Sequence, residues 1–83
     1  MWEITKDCLT GETISIKSRG HDGRELPYRF RMLDGDGEVY FEGRSNDNDT
    51  EGLFAPLDDY GTPDSGCTEI QYWMEIDGGW VTT

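Results

Sequence analysis

Apolar and polar positions alternate along most of this chain, in "WEIT", "TISIKS", "YRFRML", "EVYFEG" and "TEIQYWMEI". A period of two in runs rich in Ile, Val, Thr and aromatic residues predicts half-buried strands and leaves no room for long helices. Glycine-bearing breaks separate the runs: "TGE" near Gly11, "RGHDGRELP" from Arg19, "DGDG" from Asp34 and "DGG" from Asp77. Glycine tolerates positive φ, so each break can reverse the chain, and short reversals between alternating runs make neighbouring strands antiparallel. The clearest hairpin pairs Tyr28–Leu33 with Glu38–Gly43. A second pairs Thr68–Ile76 with Trp80–Thr82.

In the first hairpin Tyr28, Phe30 and Met32 share one face, and Arg29 and Arg31 share the other. In the late strand Ile70, Tyr72, Met74 and Ile76 point one way, while Glu69, Gln71, Trp73, Glu75 and Asp77 point the other. Trp73 thus falls on a polar face, where it covers a loop, packs beneath the segment 45–66, or serves as a binding anchor. Ser45 to Gly66 is long for a loop in a small domain, so it is expected to lie over the sheet with a short helical turn around Leu53 to Tyr60. The pattern predicts a single all-β domain over residues 1–83: a small twisted antiparallel sheet of five to six strands with a long acidic loop.

Size changes the picture in one respect. A chain of 83 residues removes only ~60% of its unfolded surface from water on folding, so its ten aromatic side chains must supply much of the burial. The start "MWEITKD" has neither a basic segment nor an apolar run, and no stretch reaches membrane-spanning length; the expectation is a soluble cytoplasmic protein. Cys8 and Cys67 lie fifty-nine positions apart and are expected as reduced thiols in or near the core, with a disulfide between them left open.

Charge is distributed unevenly. Residues 1–33 carry six basic and five acidic side chains, whereas residues 34–83 carry one basic residue, Arg44, and thirteen acids. Like charges repel one another in a compact state, so an excess of this size needs a reason: solubility, adaptation to a salty cytoplasm, or a cationic partner. Alternate residues on a strand lie ~6.6 Å apart on one face, so pairs such as Glu38 with Glu42 can form rows of negative charge resembling those of a nucleic-acid backbone. A groove that binds DNA through Lys and Arg would accept such rows. Nucleic acid itself is not an expected ligand, because the second half of the chain would repel phosphates.

Two other chemistries find partial matches in the sequence. The string Asp47-x-Asp49-x-Glu51-Gly52-x5-Asp58 places oxygen ligands at positions 1, 3, 5 and 12 of a calcium loop, with glycine at 6. Against it stand Asp in place of a bidentate Glu at the last position, Pro56 inside the loop, and flanks that lack the two helices of an EF-hand. Catalysis has less support, since abundant carboxylates need a cleft that raises one pKa. His21, beside Asp22, reads as a solvated turn residue, and no nucleophile or nucleotide-binding motif occurs. No cofactor is expected.

The segment "FAPLDDYGTPDSGCTEIQYW", preceded by "RFRMLDGDGEVYFEG", resembles the shared part of small acidic, mostly uncharacterised proteins of phages and mobile elements. That resemblance covers roughly half the chain and implies a role among inhibitors of bacterial defence, including anti-CRISPR proteins that imitate DNA. Taken with the charge pattern, it leads to a non-catalytic inhibitor whose acidic surface blocks the DNA-binding or PAM-reading site of a CRISPR effector complex or another nuclease. The expected partner-binding residues are Asp34, Asp36, Glu38, Glu42, Asp47, Asp49, Glu51, Asp58 and Asp59, with Tyr60 and Trp73 as aromatic anchors. The alternatives are a calcium module through Asp47, Asp49, Glu51 and Asp58, or a structural or interaction domain that binds through an uncovered sheet face.

Overall fold

A computed structural model describes the whole chain, Met1–Thr83. Six strands form one antiparallel sheet: β1 (Trp2–Asp7), β2 (Glu12–Lys17), β3 (Tyr28–Leu33), β4 (Val39–Ser45), β5 (Glu69–Met74) and β6 (Gly79–Thr82). Their spatial order is β2-β1-β4-β3-β5-β6. The all-β expectation holds, and both hairpins form with the anticipated partners. β3 and β4 are central, which puts the most regular alternation of the sequence in the middle of the sheet. No helix is long and apolar enough to cross a membrane.

One face of the sheet is covered. Ile4, Phe30, Met32, Phe41, Ile70 and Tyr72 point to that side and are buried, together with Trp2 and Cys67. Their cover is the segment after β4, which is helical from Glu51 to Ser65 and longer than the short turn expected from sequence. It begins as a tight 3-10 turn at Glu51–Phe54, widens to a π turn at Leu57–Gly61, and closes as an α turn at Thr62–Ser65. Pro63 cannot donate to the i−4 carbonyl and its ring crowds that oxygen, which accounts for a widened turn just before it. Leu53 and Leu57 enter the core from this segment. The Tyr72 hydroxyl donates to the Leu53 carbonyl at 2.7 Å, tying the first turn to the sheet. Gly61 allows close contact at the far end, because a Cβ there would stand 2.6 Å from Met32 Sδ.

Ile76 departs from the expected pattern. Alternation places it on the apolar face with Met74, yet it is 95% exposed. The chain leaves the strand after Met74 and makes a 3-10 turn over Glu75–Asp77 that ends at Gly78, φ 66°; alternation stops there, and so does its prediction of sidedness.

Candidate functional site: two oppositely charged faces

The loop and helical segment that cover the sheet carry Asp47, Asp49, Glu51, Asp58, Asp59 and Asp64, and no basic residue follows Arg44 anywhere in the chain. The apolar stripe of the segment is turned inward, so Asp49, Glu51, Asp58, Asp59 and Asp64 are left exposed. The chain has only two ion pairs, Arg24 with Asp22 at 2.8 Å and Arg29 with Glu42 at 4.0 Å. None of the carboxylates on this layer is therefore neutralised by a direct partner. The β3–β4 turn extends the acidic side: Asp34 and Asp36 line a groove of about 540 Å³ together with Phe54 and Leu57 of the helical segment. Glu38 is exposed at the same hairpin end.

Two of the expected binding carboxylates hold the backbone in place. Asp34 Oδ1 accepts the backbone N–H groups of Asp36 and Glu38, each at 2.9 Å, and these bonds, chiefly that from Glu38, lower its pKa. Asp47 Oδ1 accepts from the N–H groups of Asp49 at 3.0 Å and Thr50 at 2.9 Å, while its other oxygen takes the Thr50 hydroxyl. The Thr50 hydroxyl bond is the leading cause of the lowered Asp47 pKa, with the backbone bonds after it. Thr50 itself caps the 3-10 turn by accepting from the Gly52 N–H at 3.3 Å. This local chemistry explains the calcium-like spacing in another way, since polar residues before a helical turn are selected as caps. Asp47, Asp49, Glu51 and Asp58 are not gathered into a cluster of three or more candidate metal ligands.

Further expectations are corrected at Glu42 and Trp73. Glu42 lies on the opposite side of the sheet from the acidic layer, paired in register with Arg31 and Lys6. Tyr60 is half-buried, with its ring against Phe41 and Trp2 at centroid distances of 5.4 and 6.2 Å. Trp73 does not pack beneath the segment 45–66, because that segment covers the other face. His21 is half-buried in its turn, where its Nδ1 accepts the Gly23 N–H at 3.1 Å.

The uncovered sheet face was not anticipated as a charged unit. Strand register aligns Lys17, Glu3, Arg44 and Arg29 in one row, and Lys6, Glu42, Arg31, Gln71 and Thr82 in the next. Five of the seven basic residues therefore share this face. Trp73 and Trp80, a register pair, meet edge to face at 5.5 Å. The Arg29 guanidinium lies 5.7 Å from the Trp73 ring centroid and 5.4 Å from that of Trp80, and the Arg31 guanidinium 4.6 Å from Trp80. Gln71 Oε1 accepts from Arg31 Nε at 2.7 Å. The shared face of Arg29 and Arg31 was legible from alternation, but Arg44 and Trp80 join them only through strand pairing.

Both cysteines are free thiols. Burial, then the adjoining Glu42 carboxylate, pushes the Cys8 thiol up to about 11, and burial raises Cys67 as well. Both stay protonated at neutral pH, the form in which a thiol is a poor nucleophile and metal ligand. Comparison with protein-family models, curated proteins and solved structures returns no match.

Proposed function

We propose that this protein is a non-catalytic binding protein whose acidic helical layer docks on a cationic receptor surface of the kind that holds nucleic acid. One observation carries the reading: the exposed carboxylates of the layer lie on one side of the molecule without ion-pair partners, while most cations lie on the other side of the sheet. Separation of this kind gives a directed field, which steers association and orients the encounter. A rigid acidic surface can occupy a DNA-binding groove without base pairs to open. The resemblance to small phage proteins makes the receptor a bacterial defence nuclease, such as a CRISPR effector complex at its DNA-binding or PAM-reading site.

The test is a salt-gradient pull-down from a defence-carrying bacterial lysate, identified by mass spectrometry, followed by affinity measurements on the captured receptor. Charge reversal at Asp49, Glu51, Asp58 and Asp59 should weaken binding far more than reversal at Glu3 or Glu12, and the wild-type affinity should fall steeply with salt. Asp34 and Asp47 are poor choices, because their loss also damages turns, and Glu42 lies on the wrong face. Equal effects of the two sets of reversals would reject the acidic layer as the docking surface.

A further inference from the structure

The central register of the sheet sets Arg29 directly across from Arg44. Like charges facing one another on neighbouring strands are destabilising, and this chain has eighteen acidic residues from which a partner could have been drawn. Neither guanidinium is well neutralised. Arg29 reaches Glu42 only at 4.0 Å, Arg44 is in no ion pair, and its one polar contact is a 3.5 Å donation to the Leu26 carbonyl. Glu3, which faces Arg44 from the other side, instead accepts the Ser15 hydroxyl at 2.7 Å.

Both guanidinium groups line a groove of about 400 Å³, the size of a small-ligand site. Its remaining walls include the rings of Tyr28 and Trp73 and the side chain of Ile76; Ile76 is 95% exposed, and Tyr28 is 37% exposed. Stacking on Trp73 and Trp80 holds Arg29 in place and leaves its donor edge free. An arginine pair beside an apolar wall fits an anion joined to a flat apolar body, and the planar fork suits a carboxylate in particular. Glu75, also on the groove wall, opposes a second negative charge and so selects a monoanion over a phosphate dianion. Asn48 also lines the groove, so the loop that carries Asp47 and Asp49 borders it and adds to the opposition of Glu75 to a second negative charge, an effect that salt screens over ~8 Å at physiological ionic strength.

We infer that the groove between Arg29, Arg44, Tyr28 and Trp73 is a binding site for a small monocarboxylate with an aryl-sized apolar body. Its walls combine Arg29, Arg44 and Trp73 of the open face with Tyr28 and with Asn48 of the loop that leads into the acidic layer.

An NMR titration that follows the indole N–H signals of Trp2, Trp73 and Trp80 tests the assignment with three probes: phenylacetate, phenylphosphate and 2-phenylethanol. Phenylacetate should shift Trp73 and leave the buried Trp2 in place, with a Kd on the order of 1 mM, as suits a ligand of about ten non-hydrogen atoms. Phenylphosphate should bind more weakly, and 2-phenylethanol should leave Trp73 unmoved at the same concentrations. Arg29→Gln and Arg44→Gln should each weaken phenylacetate about tenfold, the loss expected for a charge-assisted hydrogen bond. Arg24→Gln, which removes a guanidinium paired with Asp22 and not part of the groove lining, should change nothing. Glu75→Gln should improve phenylphosphate more than phenylacetate. Arg29 and Arg44 are both exposed, and unchanged melting temperatures would show that their variants fold. Equal shifts from the alcohol and the acid, tighter binding of the phosphate to the wild type, an unchanged Kd in Arg44→Gln, or no shift of Trp73 at tenfold that concentration would each overturn the proposal.

Discussion

The covered and open faces of the sheet come from the same alternating strands, yet different forces hold them. On the covered face apolar side chains are close-packed beneath the helical segment, and Phe30 and Tyr72 are fully buried with their rings 5.9 Å apart. On the open face the large side chains stay half in water, and guanidinium–indole stacking fixes their positions. The first face therefore carries most of the stability, while the second has residues free to meet a ligand. The contrast also orders the charges: acids accumulate on the polar back of the covering segment, and bases on the side it leaves bare.

The sharpest way to break this comparison is to truncate one aromatic residue on each face. Phe30→Ala should lower the unfolding free energy by about 3–5 kcal/mol, because it empties space under the helical segment that the surrounding core cannot refill. Trp73→Ala should cost roughly 1 kcal/mol or less, as a half-exposed side chain whose loss opens no cavity. Urea denaturation followed by far-UV circular dichroism measures both. Similar costs would show that the open face is part of the core and that the two faces do not divide stability from binding.

Much of this division was legible in the sequence. The alternation of "YRFRML" correctly put Phe30 and Met32 on the buried side with Arg29 and Arg31 opposite, since a period of two carries sidedness wherever the strand continues. At Ile76 the strand had already ended, and the same inference misplaced the residue. The helical segment is longer than the sequence predicts because two prolines and two glycines interrupt its apolar spacing, and its stability comes from contacts with the sheet, which propensity does not register. Trp73 was visible as an aromatic residue on a polar face, but Arg44 and Trp80 became its neighbours only through the register of β4 and β6. Glu42 was misassigned for the same reason: linear clustering among acids does not say which face of a strand a residue occupies.

A smaller effect distinguishes functional from structural placement on the open face. If Arg29 and Arg44 face each other for the sake of a ligand, the arrangement should cost stability when the groove is empty. Arg44→Gln should then raise stability by about 0.2–1 kcal/mol, the size of a cross-strand pair effect, and the gain should shrink as salt screens the repulsion. Thermal melts at low and high salt check this. A loss of stability in Arg44→Gln would mean that its contacts with the strand and with Leu26 outweigh the repulsion.

The smallest effect concerns the acidic side, where hydrogen-bonded carboxylates must be separated from those that are simply exposed. Asp34 and Asp47 have pKa values below the ordinary carboxylate range, because donors already in place favour their charged form. A carboxylate depressed in the folded state binds protons more readily when unfolded. Its contribution is therefore complete above the unfolded value of about 3.9 and is lost as pH falls through the lower folded value. Protonation of the remaining acids acts in the opposite sense, since it relieves repulsion in a chain of net charge −11. Comparison with an Asp34→Asn, Asp47→Asn double variant isolates the first effect, because asparagine can accept in the same turns but does not titrate in this range. The stability difference between wild type and variant should be constant from neutral pH to about pH 5 and should narrow below about pH 4. A difference that held constant down to the acid transition would mean that the two aspartates titrate alike in the folded and unfolded chains, and that they belong with the exposed charges available to a receptor.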